Sequence, residues 1–421
     1  MNGFMDKLSE KIMPLANWLG DNRYLMVLRD SFMLAFPLTM FGSIIVVINN
    51  LPFFNDDTKG MLSNLLGNGQ NATMSIMTVF VTFGIGYYLS QSYDVEGIFG
   101  GAVAFSSFLI LTPFFMSTES GETVNGVLSL DRLGAKGMFL GMIAAFVAAE
   151  IYCRVTKRGW QIRMPDGVPP AVTKSFAAMI PAILTLTVFL VINAVMVGAF
   201  NANLHDVIYD VIQKPLTGLG SSLPATLVSI FFIQFLWFFG LHGQIIVNSV
   251  MDPIWNTLML DNLEAYKAGD TLPHIVTKPF METFTVGLGG SGMTLAVVII
   301  LAFLMKKKQY TDIGRLALGP GIFNVNEPVI FGLPIVLNAT ILIPWVLAPI
   351  VVTTLNYLVM AAGIVPAPTG VSVPWTVPII ASGVLATNSW LGGLLQVIDF
   401  LIVGMIWLPF LRALDKQPDM I

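Results

Sequence analysis

Long apolar runs separated by short polar breaks fill this chain, and the lengths of the runs predict what it forms. A helix crossing a bilayer needs about 20 apolar residues at roughly 1.5 Å each. The runs that qualify are Ser31–Phe53, Ala72–Ser90, Gly97–Met116, Gly137–Val155, Ser175–Phe200, Leu223–Met251, Val286–Met305, Ile341–Val365, Val373–Thr387 and Gly392–Leu411. They amount to about ten crossings, the last but one being short. The pattern predicts an all-α polytopic membrane protein. Two polar stretches, Asp252–Thr285 and Asp312–Asn338, carry apolar residues broken by Pro and Gly. Segments that dip into a membrane and return read this way. Asn203–Gly220 sets Leu204, Val207, Ile208, Val211 and Ile212 at helical spacing, which predicts an interfacial connector.

Composition agrees. Of 421 residues, 55% are hydrophobic and 11% are Asp, Glu, Lys or Arg, against about 25% charged in a soluble protein. The net charge of −4 is too small to suggest nucleic acid, and the basic residues sit in short loops rather than a stripe. A single cysteine, Cys153, excludes a disulfide framework and a multi-cysteine zinc site. Met1–Asn22 is polar and mildly amphipathic, without the layout of a cleaved signal peptide, so the first apolar run serves as its own insertion signal. Lys7, Lys11, Arg23 and Arg29 put the N-terminus in the cytoplasm. The acidic loop Ser117–Asp131 falls outside, and Arg154, Lys157, Arg158, Arg163 and Lys174 fall inside. Arg412 and Lys416 fall inside too, so both termini are cytoplasmic. Strict counting leaves Lys306, Lys307 and Lys308 outside, which the rule disfavours. Either a further crossing lies in the irregular second half, or Asn203–Gly220 shifts the frame.

The two halves differ in kind. Residues 1–200 hold continuous runs with glycine-rich stretches such as Gly97-Ile-Phe-Gly-Gly101, suited to close helix packing. Residues 201–221 form the connector, and residues 222–421 hold the broken elements and polar residues. The first part reads as a packing and oligomerisation domain, the last as a substrate-handling one.

The second half also holds the chemistry. Gly319–Pro334 has three prolines and three glycines in sixteen residues, too many for an uninterrupted helix. At membrane depth such backbone survives only where protein buries it or it lines a watery cavity. An acid there, Glu327, is a functional candidate by default; the plainer reading is a loop with Glu327 in outside water. Beside Asn324 and Asn326, Glu327 offers acceptors and donors suited to sugar hydroxyls. His242 lies in Trp237-Phe-Phe-Gly-Leu-His-Gly-Gln-Ile-Ile246. A lone apolar-span histidine is commonly a packed one, but Gly240 and Gly243 thin the wall for a ligand or hairpin. His242 and Gln244 would then donate hydrogen bonds. Trp375, in Val373-Pro-Trp-Thr-Val-Pro378, suits stacking on a pyranose or anchoring at an interface. Gly287-Leu-Gly-Gly-Ser-Gly-Met-Thr-Leu295 fits helix packing or hairpin contact. Cys153 lacks a glycine-rich cradle for a phosphate and reads as incidental. No Walker loop, metal-spaced cluster or Ser-His-Asp arrangement stands out, so no bound cofactor or metal is expected.

With these residues in hand, the sequence resembles the EIIC membrane subunit of the bacterial phosphoenolpyruvate-dependent sugar phosphotransferase system, in its lactose/cellobiose/diacetylchitobiose family. The resemblance covers almost the whole chain. It rests on Ile12-Met-Pro, Arg29-Asp-Ser-Phe, Phe239-Gly-Leu-His-Gly-Gln244, Gly289-Gly-Ser-Gly-Met-Thr-Leu295 and above all Phe323-Asn-Val-Asn-Glu-Pro-Val-Ile-Phe-Gly-Leu-Pro334. It implies an elevator-type transporter of the bacterial cytoplasmic membrane, with re-entrant hairpins, a homodimerising N-terminal domain and a sugar-carrying C-terminal domain. The family's sugar-binding histidine falls on His242, its glutamate on Glu327, and an aromatic near the sugar on Trp375. The phosphoryl group would come from phosphoenolpyruvate through IIA and a cysteine of a separate IIB subunit. The chain would thus be part of a multi-subunit phosphotransferase without a phosphoryl carrier of its own. The C6 hydroxyl of a β-linked disaccharide, cellobiose-like by preference, would attack that phosphocysteine with Glu327 as candidate general base. The competing class is an ion-coupled secondary transporter, in which Glu327 binds a proton and unmodified sugar is released.

Overall fold

The computed structural model describes Trp18 and residues 21–49, 54–117, 122–333, 335 and 338–416. The amphipathic N-terminus, the Ile12-Met-Pro motif, the end of the first apolar run and Pro334 lie outside the described residues. The regular structure of the described chain is helical apart from one hairpin, which pairs Phe115–Ser117 with Thr123–Asn125. It forms two compact units, Asp21–Ile45 with Met61–Gly218, and Val46–Gly60 with Leu219–Ile421.

In the first unit, Met77–Ser92, Gly97–Leu111 and Met138–Lys157 pack on one another, and Pro170–Phe200 lies against the latter two. A Cβ at Gly86 would stand 2.4 Å from the Gly100 carbonyl oxygen, so the two backbones meet where glycine alone fits. Pro170–Phe200 opens on Pro170, whose missing N–H costs nothing in a first turn, and closes on Asn201 at φ 47°. Its outward residues, among them Ile183, Leu190 and Val197, are apolar. The connector is helical from Leu204, with the Asn203 Oδ1 accepting from the Asp206 N–H (2.9 Å) as its cap.

The second unit gathers the irregular backbone. The run Leu223–Met251 is not one helix: Leu223–Phe238 ends and Gly243–Ala268 begins around His242. Gly240 takes φ 78°, and the Ile233 carbonyl oxygen stands 2.0 Å from where a Gly243 Cβ would be. These glycines therefore close a turn between helices, a job distinct from opening a wall to ligand. The run Val286–Met305 keeps only Leu295–Leu304 as helix, because Gly289, Gly290, Gly292 and Met293 all take positive φ. Val373–Thr387 is not a continuous helix either; Pro374 and Pro378 hold a loop, and only Ala381–Thr387 winds. By length and composition, six described helices can cross a membrane: Arg23–Asn49, Asp57–Ser92, Ala135–Lys157, Pro170–Phe200, Thr340–Ala361 and Trp390–Lys416. Gly97–Leu111 and Leu295–Leu304 are apolar but shorter.

Trp345 and Trp407, both fully buried and edge to face, anchor the core of this unit. Trp345 Nε1–H donates to the Gln234 carbonyl (3.1 Å) and Trp407 Nε1–H to that of Gly292 (3.3 Å). A Cβ on Gly292 would lie 2.3 Å from the Trp345 ring, so the turn before Leu295 is wedged against the long helices. The Lys306 and Lys307 N–H groups donate to the Asp415 carboxylate. The lysine triplet therefore sits beside the end of the last helix, next to Arg412 and Lys416. Strict counting of crossings puts it on the opposite side; that alternation fails where Val373–Thr387 does not cross as a helix.

Candidate functional site

His242 is the N-cap of the Gly243–Ala268 helix, its Nδ1 accepting from the Ile245 N–H at 3.3 Å. That bond leaves the ring proton on Nε2, so the imidazole offers a donor on its other side. The ring is exposed and rests on Trp237, centroids 4.4 Å apart. Two residues on, Gln244 Oε1 accepts from Ser291 Oγ (3.1 Å). The Ser291 carbonyl in turn accepts from Asn326 Nδ2 (2.7 Å). Ser291 thus joins three motifs far apart in sequence.

Asn324 supplies a second tie. It holds φ 64°, a left-handed conformation that asparagine tolerates better than most side chains. Its Oδ1 accepts from the Gly289 N–H (2.8 Å), and its Nδ2 donates to the carbonyls of Trp375 (2.5 Å) and Val377 (3.1 Å). Sequence assigns Asn324 and Asn326 to the substrate, yet in the structure both are buried and their NH2 groups go to main-chain carbonyls. The cause is backbone accounting. Turns without a helical ladder leave N–H and C=O groups that need partners away from water, and these amides provide them.

Glu327 opens the short Glu327–Gly332 helix, followed by Pro328 in its first turn. It is exposed, forms no hydrogen bond or ion pair with the described residues, and lies close enough to His242 for its charge to act on the imidazole. Trp375 keeps 47% of its surface exposed while its carbonyl is held by Asn324. The structure therefore gathers His242, Gln244, Glu327 and Trp375 on linked loops, with Asn324, Asn326 and Ser291 as the frame. Ser291 escapes a sequence reading because Gly-Gly-Ser-Gly fits helix packing equally well.

A buried ion cluster holds the neighbouring element. Lys278 Nζ lies 2.7 Å from both Asp252 Oδ1 and Glu282 Oε1. Burial works against the Lys278 ammonium, but the two carboxylates more than offset it and raise its pKa above the ordinary lysine value. The cluster pins the Lys278–Phe284 helix to the helix that His242 caps. In the first unit, Cys153 is fully buried with its thiol toward Ser90 Oγ (3.4 Å). Among the described residues, no three His, Cys, Asp or Glu side chains group as metal ligands.

The chain is similar to known proteins along most of its length. The family model described as Phosphotransferase system, EIIC, matches residues 29–349. The PTS system oligo-beta-mannoside-specific EIIC component of Bacillus subtilis (strain 168) is 61% identical over 415 residues, covering 98% of this chain and 94% of that protein. The PTS system cellobiose-specific EIIC component of Geobacillus stearothermophilus is 37% identical over 435 residues, 99% of this chain and 95% of that protein. The crystal structure of the transporter ChbC, the IIC component from the N,N'-diacetylchitobiose-specific phosphotransferase system, matches with a TM-score of 0.92 at 37% identity. It covers 97% of this chain and 98% of that one.

Proposed function

This chain belongs to the EIIC family of the phosphotransferase system, and we propose how its parts divide the work of a sugar permease whose substrate is phosphorylated on entry. The sugar binds in the second unit. One observation carries that assignment: three motifs converge on Ser291 and hold the exposed Glu327 carboxylate within electrostatic reach of the exposed His242 imidazole. His242 Nε2–H and the Gln244 NH2 donate to sugar hydroxyls, Glu327 accepts, and Trp375 stacks on a pyranose face. Asn324 and Asn326 position these groups through the backbone.

The first unit forms the homodimer through its apolar helices, and the second carries the sugar as a body, in elevator fashion. The crossings number about ten in all. Both termini face the cytoplasm; the grouping of Lys306 to Lys308 with Arg412 and Lys416 at one end supports this.

On the cytoplasmic side the C6 hydroxyl oxygen attacks the phosphorus of a phosphocysteine on the IIB partner. The O–P bond forms, the S–P bond breaks, the thiolate leaves, and Glu327 takes the hydroxyl proton. Positioning supplies most of the acceleration in such transfers. The phosphoryl group reaches IIB from phosphoenolpyruvate through IIA. No residue of this chain carries it, in keeping with a Cys153 thiol buried against Ser90.

The sugar is a β-linked disaccharide. The relative named for oligo-β-mannosides is 61% identical and the one named for cellobiose 37%, which moves the preferred substrate from a β-glucoside to a β-mannoside. Membrane vesicles given phosphoenolpyruvate and the soluble partners test this with labelled mannobiose and cellobiose. The expected product is sugar phosphate, formed faster from mannobiose. Release of unmodified sugar, with uptake that collapses with the proton gradient, would overturn the reading.

A further inference from the structure

One buried carboxyl group of the second unit takes no part in the sugar chemistry. Asp399 lies within the Trp390–Lys416 helix and is fully buried. Its Oδ2 accepts from Asn356 Nδ2 (2.9 Å), while its Oδ1 has no partner among the described residues. No described cationic side chain faces it. An ionised carboxylate alone in such surroundings is too costly to persist. Some positive charge accompanies it.

Three further buried oxygens, on residues tied to Asp399 through Asn356 and through Gln396 of its own helix, are in the same condition. The NH2 group of Asn356 is spent on Asp399 and on the Phe284 carbonyl (2.9 Å), and its Oδ1 has no described partner. Thr353 lies one turn before Asn356 on the same helix face, and Thr283 precedes Phe284; neither hydroxyl has a described partner. All three residues are at most 1% exposed. A helical threonine ordinarily donates to the carbonyl four residues back, as Thr354 and Thr257 do. Thr353 does not. The Thr283 carbonyl is held by Gln396 Nε2 (3.0 Å), one turn before Asp399, which draws Thr283 to the same place. Asn356 and Gln396 thus reach the Phe284 and Thr283 carbonyls at the C-terminal end of the Lys278–Phe284 helix. Such ends, together with acidic side chains at mid-membrane, suit small cations.

We propose that Asp399 Oδ1, Asn356 Oδ1, Thr353 Oγ1 and Thr283 Oγ1 form a binding site for a dehydrated alkali cation, Na⁺ before K⁺. One carboxylate with three neutral oxygens balances a single positive charge, and a hard all-oxygen set disfavours transition metals. A proton on Asp399 would satisfy that residue and Asn356 but leave both threonine hydroxyls unpartnered. A water would satisfy the hydrogen bonds and leave the charge. A cation balances the charge and takes a lone pair from each of the four oxygens. It joins the interrupted helix to the Ala339–Ala361 and Trp390–Lys416 helices, just before the turn that carries Ser291. It serves as part of the carrier body and need not be transported, since phosphorylation already gives uptake its direction.

The test uses the purified full-length protein without sugar, so its outcome is independent of the sugar assignment. The thermal unfolding midpoint is followed while NaCl, KCl or N-methylglucamine chloride is titrated at constant ionic strength, at several pH values. The expected result is a saturable rise with Na⁺, weaker with K⁺ and absent with N-methylglucamine. Asp399→Asn is expected to lose the response. Thr353→Val, which keeps the carboxylate, is expected to raise the half-saturating Na⁺ concentration about tenfold, as for one lost ligand; it decides the matter if Asp399→Asn fails to fold. A midpoint that follows pH but ignores the cation would assign a proton and overturn the proposal. So would a midpoint indifferent to both, or a cation response retained in both variants.

Discussion

Replacing Asn324 with alanine removes three hydrogen bonds that tie the Gly289, Trp375 and Val377 segments together. At about 0.5–1.5 kcal/mol each, they are worth roughly 2–4 kcal/mol in all. Leaving the Gly289 N–H without its acceptor adds about 1–3 kcal/mol. Alanine at φ 64° adds about 1 kcal/mol more. The first two effects overlap, which keeps the total near roughly 3–5 kcal/mol. That energy holds the loops bearing Glu327 and Trp375 and does not hold the long helices. Disaccharide affinity, read by tryptophan fluorescence, is therefore expected to fall at least about 100-fold. Helix content by circular dichroism stays, and the melting midpoint drops by several degrees. Asn324→Gly relieves the backbone cost only and recovers little of the affinity. An Asn324→Ala protein with wild-type affinity and midpoint would refute the reasoning.

Lys278→Met leaves Asp252 and Glu282 buried without their cation and is expected to cost about 3–5 kcal/mol, seen as a lowered melting midpoint or failure to accumulate in the membrane. In the wild type the contribution of the Lys278 charge is flat across the neutral range. The Lys278 pKa is raised, so its stabilisation is whole below the ordinary 10.5 and fades only as pH climbs past the raised value. Gly292→Ala drives a Cβ to 2.3 Å from the Trp345 ring at φ 76°. It should cost at least about 1–3 kcal/mol, whereas Gly198→Ala, with nothing within 4 Å, should not lower the midpoint. Cys153→Ser should leave the rate of sugar phosphorylation in vesicles unchanged; a loss would make the thiol a phosphoryl carrier.

Hydropathy reads the long helices well because their signal is an average over many residues. The same averaging hides the breaks. Gly240 and Gly243 act through a backbone angle and a carbonyl at contact distance, neither of which alters an apolar mean. Pro374 and Pro378 are likewise masked by the valines around them. His242 and Glu327 stand out in the sequence as candidates because polar side chains in apolar sequence need a reason. The inward role of Asn324 and Asn326 is not legible, since main-chain partners leave no trace in residue identity. Asp252 and Lys278 are 26 positions apart, and Asp399 and Asn356 are 43. No helical period connects them, so only the fold reveals the pairs.

The role given to Glu327 can be tested with one substitution in vesicles supplied with phosphoenolpyruvate and the soluble partners. Glu327→Gln preserves the side chain's size and one acceptor but cannot take up the sugar's proton. Sugar phosphate formation should be abolished, and binding of the labelled disaccharide weakened yet measurable. Phosphorylation at a near wild-type rate in that variant would contradict the assignment of Glu327.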